Sequence, residues 1–140
     1  MTVVTGLVGG EPVGLAVNSF TSVSLDPELV AFCVAGVSRT WPRLRPAGVF
    51  CVNVLAADQE ALSRVFAAHS PDRFHGVGWR PAPSGAPVLT GALAWVDCTV
   101  EAEYPAGDHI IVVGRVRALD VEHEGRPLVF YRGGYGRFEL

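Results

Sequence analysis

Residues 14–27 have the sequence GLAVNSFTSVSLDP. The stretch begins as a β-strand, because Val13, Leu15 and Val17 point to one face while small residues alternate with them on the other. Five short polar side chains follow within seven positions: Asn18, Ser19, Thr21, Ser22 and Ser24. An ordinary turn needs fewer short polar side chains than this. We therefore predict a rigid strand whose backbone a flat polar ligand can approach closely.

The composition indicates one folded domain spanning residues 1–140. Of the 140 residues, 49% are hydrophobic and 18% charged, which suits a chain with a sizeable core. The net charge of -3, without any block of basic residues, argues against a nucleic-acid or anionic-membrane surface. No apolar run is long enough to span a bilayer, and no signal peptide is recognisable. We therefore expect a cytoplasmic protein.

Motifs for metal binding or nucleophilic catalysis are missing from the sequence. Cys33, Cys51 and Cys98 lie in apolar or alternating runs without CxxC spacing, which is typical of small buried side chains. The four histidines show no HxH or HxxxH spacing, so no metal is expected. Neither G-x-S-x-G nor G-x-G-x-x-G occurs between a predicted strand and helix. The missing nucleophile matters less if a bound cofactor does the chemistry.

Periodicity and turn signals predict about seven strands and two short helices. The strands are predicted at residues 2–8, 13–17, 29–35, 50–55, 93–104, 109–119 and 128–131, and the helices near residues 40–44 and 58–68. Short links between the late strands favour antiparallel pairing, and closure into a small barrel removes open edges. Residues 72–91 are expected to form a loop, and residues 132–136 a glycine-rich tail.

Three segments carry candidate polar chemistry, each with a structural alternative. Ser38, Arg39 and Thr40 at a helix start favour an anion, although a capped surface helix with a solvated arginine is the commoner arrangement. His109 either fixes its turn by a hydrogen bond to Asp108 or lies beside a ligand as a donor. Residues 130–135 form either an exposed tail or an aromatic pocket mouth.

Together, five segments resemble the flavin reductase family of the FMN-binding split-barrel fold. They occur in family order and cover nearly the whole chain: PVGLAVNSFTSVSLDPELV (12–30), VSRTWPRL (37–44), FCVNVLAADQEAL (50–62), GDHIIVVGRV (107–116) and PLVFYRGGYG (127–136). The resemblance implies a mainly β fold, a small antiparallel split β-barrel with Greek-key character and two short helices, assembled as a homodimer. It also implies that FMN or FAD is bound and reduced by NADH or NADPH, and that reduced flavin is supplied to a partner oxygenase.

The resemblance also implies site residues. Those lining the flavin are Pro12, Val13, Gly14, Leu15, Ala16, Asn18, Ser19, Ser22, Cys33, Val34 and Ala35. Those holding its phosphate are Ser38, Arg39 and Thr40, and Phe66 touches its far end. Those near the nicotinamide nucleotide are His109, Phe130, Tyr131, Arg132 and Gly133. His109 is the residue expected to position the nicotinamide or donate to it during hydride transfer.

One feature departs from the family, and two other functions are considered. The family usually carries an N-terminal helix before the first strand, whereas Met1 here falls almost at that strand; a late start, a shortened chain and a member without the helix all explain this. A flavin-binding relative with another redox role, such as an electron carrier or oxidase, is the main alternative function. A non-enzymatic carrier with a barrel pocket is the second, and the hydroxyl cluster argues against it.

Overall fold

The protein folds mainly into β-strands, as the computed structural model shows for residues 1–139. The strands are β1 (Thr2–Val8), β2 (Glu11–Val17), β3 (Thr21–Leu25), β4 (Glu28–Ala35), β5 (Val49–Val54), β6 (Trp79–Pro81), β7 (Pro87–Leu89), β8 (Ala94–Ala106), β9 (His109–Val121), β10 (Leu128–Tyr131) and β11 (Gly134–Arg137). The helices are α1 (Trp41–Leu44), which continues into a 3₁₀ turn (Arg45–Ala47), and α2 (Glu60–Ala67).

Seven of the strands form one antiparallel sheet in the order β2-β1-β5-β8-β9-β4-β3. Its centre is the hairpin of β8 and β9, since these two long strands pair with each other and carry β5 and β4 on their outer sides. The edge strands are β2 and β3, yet apolar side chains of β2 and β4 share one core cluster. A sheet that curls around one core and leaves a seam unpaired is a split barrel, so the predicted fold class is confirmed.

Three aromatic rings fill the centre of this core. Phe32, Trp41 and Phe50 pack edge to face, with ring centroids 5.4, 5.3 and 6.1 Å apart in the three pairs. Trp41 is also the first residue of α1. The core therefore determines where the chain enters this helix.

Gly114 on β9 faces the same aromatic cluster. A Cβ atom there would lie 2.5 Å from Cζ of Phe50 and 3.2 Å from Cβ of Cys98, so the strand has room only for a hydrogen. We expect Gly114→Ala to lower the free energy of unfolding by about 2 kcal/mol, because the Phe50 ring must leave its place in a close-packed core. Urea unfolding followed by tryptophan fluorescence measures the change.

The matched control for this prediction is Gly136→Ala. A Cβ atom at Gly136 meets no atom within 4 Å, so this variant should be as stable as the wild type. In a Phe50→Leu background, Gly114→Ala should cost less than it does alone, because the smaller side chain leaves room. Equal stabilities of the Gly114 and Gly136 variants would refute the packing argument.

Four short strands were not predicted. Residues 21–25 form the separate strand β3, which pairs with β4 through a register shift between Ser22 and Ser24. The expected loop at residues 72–91 contains the hairpin of β6 and β7, and the expected glycine-rich tail contains β11. These strands are short and lack an alternating apolar pattern, so periodicity does not mark them.

Some burial patterns also differ from the prediction. On α2, Ser63 is buried while Val65 is exposed, the reverse of what their polarity predicts. On β8, register shifts interrupt the alternation, so that neighbouring Asp97 and Cys98 are both buried. Burial raises the pKa of the Cys98 thiol to about 12 and also raises that of Cys51.

Candidate functional site

The polar run after β2 is anchored to the neighbouring strand β4. The hydroxyl of Ser19 accepts a hydrogen bond from the Cys33 amide at 2.8 Å and donates one to the Cys33 carbonyl at 3.1 Å. Asn18 and Ser22 are exposed on either side of it. Cys33 itself is partly exposed. The run therefore presents amide and hydroxyl groups to solvent beside Cys33, held in place by a backbone clamp.

Strand pairing places His109 next to this polar run. In the register of β4 with β9, Ala35 lies opposite His109, and the Gly36 amide donates to the Asp108 carbonyl at 2.8 Å. The sequence positions that the resemblance assigned to flavin and to nicotinamide thus become neighbours through one strand pair. Nothing local in either segment indicates this pairing.

His109 makes the turn-fixing hydrogen bond and also remains accessible. Its Nδ1 lies 2.7 Å from Oδ1 of Asp108, and this hydrogen bond, followed by the charge of His109, lowers the pKa of the Asp108 carboxyl. The His109 side chain is 48% exposed, and Nε2 has no hydrogen-bond partner within residues 1–139. The ring is therefore oriented by Asp108 and presents its other nitrogen outward.

Residues 38–40 link β4 to α1, but their backbone is less open to an anion than the resemblance implied. The Ser38 hydroxyl accepts from the amides of Thr40 and Trp41, both at 3.3 Å, and the Ser38 amide donates to Ala35. Arg39 is exposed, and its side chain makes no hydrogen bond or ion pair with the described residues. The side chain of Arg39, more than the helix start, is thus available to a ligand.

A carboxylate on β8 holds this link in place. The indole of Trp41 donates to Oε1 of Glu103 at 2.6 Å, and Nε of Arg45 donates to the same oxygen at 2.9 Å. Glu103 belongs to the hairpin that carries His109 at its turn. The link and His109 are therefore attached to one hairpin, a connection that no pattern in the sequence predicts.

An open cleft lies between the start of β2, the start of α1 and residues 70–74. Pro12, Val13, Gly14 and Thr40 line it, and all four were predicted as site residues. The cleft thus joins the first predicted segment to the phosphate segment. Its remaining lining comes from Glu11 on β2, from Arg43 on α1 and from residues 70–74 in the loop after α2.

Arg73, in that loop, connects the walls of the cleft. Its Nη1 donates to the Gly14 carbonyl at 2.8 Å and to the Thr40 hydroxyl at 2.9 Å, while Nε donates to the Ala68 carbonyl at 2.9 Å. Arg73 was not among the predicted site residues, because an arginine among Pro, Ser and Asp residues is typical of a solvated loop. No local signal distinguishes it.

The small residues of β2 make room for the protein itself. A Cβ atom on Gly14 would lie 2.9 Å from Cε1 of Phe66, and Ala16 packs in the same apolar cluster as Phe66. Phe66 is only 1% exposed, so it supports Gly14 from beneath instead of lying beside a ligand as expected. Val13 and Leu15 point into the barrel core. Gly14 therefore meets the cleft through its backbone, while Glu11 and Pro12 at the start of β2 also line it.

The residues predicted beside the nicotinamide, apart from His109, lie on the hairpin of β10 and β11. Arg132 and Gly133 form its two-residue turn with φ values of 52° and 77°, as in type I′ hairpins. The hairpin packs on α2, where the Tyr135 hydroxyl lies 2.9 Å from the Ser63 hydroxyl and Arg64 lies over the Tyr135 ring. Within residues 1–139 none of its hydrogen bonds reaches β9. Among the described residues of one protomer, no hydrogen bond therefore joins this hairpin to the strand that carries His109.

Two kinds of feature are absent from the described residues. No group of three or more His, Cys, Asp or Glu side chains in residues 1–139 could hold a metal ion. In the same part of the chain, neither helix has the length and apolar character needed to cross a membrane.

Comparison with known sequences gives a consistent result over the whole chain. The family model described as a flavin reductase like domain matches residues 1–139. The chain is 45% identical, over 139 residues, to the reductase subunit HsaB of a flavin-dependent monooxygenase from Rhodococcus jostii. That match covers 99% of this chain and 71% of the relative.

Solved structures agree with the sequence match. Nitrilotriacetate monooxygenase component B from Mycobacterium thermoresistibile superposes with a TM-score of 0.95 at 45% identity, covering 99% of this chain and 78% of that one. The NADH:FAD oxidoreductase SgcE6 of Streptomyces globisporus, solved with NAD and FAD fragments, gives a TM-score of 0.91 at 42% identity and covers 99% and 84%. The chain therefore belongs to the flavin reductase-like family.

Proposed function

We propose that this protein is an NAD(P)H:flavin oxidoreductase, which transfers a hydride from NADH or NADPH to FMN or FAD. The observation that carries the proposal is the pairing of β4 with β9. This pairing sets Ala35 opposite His109. Along β4, Ala35 lies between Cys33, which is hydrogen-bonded to Ser19, and residues 38–40, which include Arg39. Residues suited to a flavin and a residue suited to a nicotinamide thus share one surface.

The donor set of this surface fits a flavin nucleotide. Exposed Asn18 and Ser22 offer amide and hydroxyl groups to a polar ring edge, and exposed Arg39 offers a planar cation to phosphate oxygens. Since β2 is an edge strand, the backbone groups on its unpaired side can also bond to a ligand. The hydrogen bond that Arg73 donates to the Gly14 carbonyl shows that a polar group reaches this edge. A bound flavin supplies the two-electron acceptor that the chain itself lacks.

The chain's own contribution is to bind and orient. Hydride transfer depends on the placement of donor and acceptor and needs no strong acid or base from the protein. Asp108 holds the His109 ring so that Nε2 faces outward, where it can position the nicotinamide nucleotide. The Ser19 clamp keeps the polar run against β4, so the flavin-facing groups are preorganised.

The assembly we propose is a homodimer of single domains spanning residues 1–140, and the family match over residues 1–139 supports that extent. A second subunit would bring Tyr131 and its hairpin to a site that one protomer leaves open. Large exposed apolar side chains support a contact surface: Tyr104, Leu119, Val121 and Tyr131, the last 71% exposed.

The description of HsaB as a monooxygenase reductase subunit supports an oxygenase as the recipient of reduced flavin. The cytoplasmic location stays a prediction from the sequence.

A single assay tests the proposed reaction. The purified protein is mixed with NADH or NADPH and with FMN or FAD, and nucleotide oxidation is followed by absorbance. Turnover supports a reductase. Flavin binding without turnover would favour an electron carrier or oxidase. In that case His109 would only fix its turn through the hydrogen bond to Asp108. Absence of flavin binding would exclude both.

Arg39→Ala is expected to weaken flavin affinity more than it slows hydride transfer at saturating flavin. One charge-assisted phosphate contact is worth about 1.5–3 kcal/mol, so we expect the flavin Kd to rise at least about tenfold. Quenching of flavin fluorescence measures the Kd, and stopped-flow absorbance measures the transfer. Arg117→Ala, an exposed charge change on β9, is the control and should change neither. Equal flavin affinity of the Arg39 variant and the wild type would refute the phosphate role.

A further inference from the structure

Glu103 on β8 is bonded to the segment that carries Arg39, and the proposed function gives this carboxylate no role. Its Oε1 accepts a hydrogen bond from the indole Nε1 of Trp41 at 2.6 Å and another from Nε of Arg45 at 2.9 Å. The Glu103 side chain is 25% exposed, whereas Trp41 is only 1% exposed. A buried indole N–H without an acceptor is unfavourable, so Glu103 favours this one position of the Trp41 ring.

The hairpin of β8 and β9 holds residues 36–41 at both ends. At one end, the Gly36 amide donates to the carbonyl of Asp108, in the turn of the hairpin, at 2.8 Å. At the other end, Trp41 is bonded to Glu103, in the stem of the same hairpin. Two long paired strands are a stiff support, so this segment is fixed at two points of one rigid element. Only the second point depends on a side chain of the hairpin.

The segment needs this support because α1 cannot supply it. This helix has four residues, and the side chain of its N-cap residue Thr40 makes no capping hydrogen bond. A helix of one turn is not stable without tertiary contacts. The Ser38 hydroxyl accepts from the amides of Thr40 and Trp41, so the chain on both sides of Arg39 is tied together. A displacement of Trp41 is therefore passed on to the backbone at Arg39.

We propose that Glu103 is a positioning residue for flavin binding, which acts through Trp41 on the backbone that carries Arg39. The inference rests on the proposed function, in which the Arg39 side chain meets a flavin phosphate. Arg39 is exposed and makes no hydrogen bond or ion pair within residues 1–139, so its backbone alone determines where its guanidinium is presented. An anchored backbone lowers the ordering cost of binding, and loss of the anchor raises that cost.

The test compares flavins with and without a phosphate. Quenching of flavin fluorescence gives the Kd of riboflavin, FMN and FAD for the wild type, Glu103→Leu and Glu103→Gln. Glu103→Leu removes the acceptor, so the Kd of FMN and FAD should rise about fivefold while that of riboflavin stays unchanged. Glu103→Gln keeps an oxygen that accepts from the Trp41 indole, so its Kd values should stay within about twofold of the wild type. Urea unfolding checks that both variants are folded.

Two further variants test the route from Glu103 to the flavin. Glu101→Leu is the matched control, because Glu101 lies on the same strand and its carboxylate binds Arg115 of β9 instead of the segment at residues 36–41. Its flavin Kd values should equal those of the wild type. In an Arg39→Ala background, Glu103→Leu should raise the Kd of FMN no further, because the phosphate contact that it would misplace is already absent.

The outcomes separate this inference from the proposed function. Equal losses for riboflavin and FMN in Glu103→Leu would overturn the inference, because the carboxylate would then act through the fold as a whole. Unchanged FMN and FAD constants, losses that add to those of Arg39→Ala, or an equal loss in Glu103→Gln would overturn it too. In each case turnover by the wild type would leave the proposed reductase standing. A wild type that binds no flavin would instead refute the proposed function, and the inference with it.

Discussion

His109→Ala is expected to lower kcat/KM for NADH about a hundredfold at saturating flavin, which is the low end of the effect of a positioned proton donor or acceptor. The physical reason is the fixed ring: Asp108 binds Nδ1 and leaves Nε2 directed outward beside β4. Loss of the ring removes the group that positions the nicotinamide, and a small displacement of reacting atoms is costly in rate. Flavin affinity should stay within about twofold, because Ser19 and Cys33 are unaffected. Steady-state kinetics and flavin titration measure the two quantities.

The matched control is His123→Ala. His123 lies just beyond the other end of β9, the same strand that begins with His109, and it is exposed. Removing it should leave kcat/KM unchanged. If the two variants behave alike, or if His109→Ala loses flavin affinity in proportion to rate, the assignment of His109 to the nicotinamide side is wrong.

The pH dependence of this pair follows from the direction of one pKa. The hydrogen bond from His109 lowers the pKa of Asp108, so the bond's stabilising effect is fully present above the ordinary aspartate pKa of about 4 and is lost only as the pH falls through the lowered value. Asp108 therefore stays ionised between about pH 5 and 9. A neutral His109 that donates Nδ1–H to this carboxylate accepts at Nε2, and only the doubly protonated ring donates there.

Asn53→Ala is expected to lower the free energy of unfolding by about 4 kcal/mol, from an unsatisfied buried amide together with a cavity. Asn53 is 0% exposed, and its Oδ1 accepts from the Leu89 amide at 2.8 Å. Its Nδ2 lies 3.3 Å from the Thr5 hydroxyl and 3.2 Å from the Pro87 carbonyl. This side chain therefore joins β7 to β1 and β5. Urea unfolding measures the loss, and flavin affinity of the folded fraction should not change.

Asn18→Ala makes the same chemical deletion on the surface and should behave in the opposite way. Asn18 is exposed, and its side chain makes no hydrogen bond within residues 1–139. The unfolding free energy should therefore change by less than about 0.5 kcal/mol, whereas flavin affinity should fall. Similar destabilisation by the two variants would contradict the role given to the buried network.

The strands that the sequence predicts well are those with a clear burial pattern. Strands β1, β4 and β9 were placed almost at their observed ends, because their apolar residues record the faces that the core covers. Strand β3 was missed since its exposed Thr and Ser residues have no such pattern. Gly14 and Ala16 were predicted to let a ligand approach the strand, and the structure shows that these small residues also make room for Phe66. A small residue is needed in either case, so the sequence does not distinguish the two.

The sequence by itself determined the mainly β fold, the family, and the segments that carry polar chemistry, since each of these is recorded in local composition and spacing. Only the tertiary structure decided which segments meet. The register of β4 with β9 sets Ala35 opposite His109. The curl of the sheet and the course of the loop bring Arg73 to Gly14, 59 residues away, and to Thr40, 33 residues away. Contacts over such separations depend on how strands pair and close around a shared core, and no local pattern encodes that pairing.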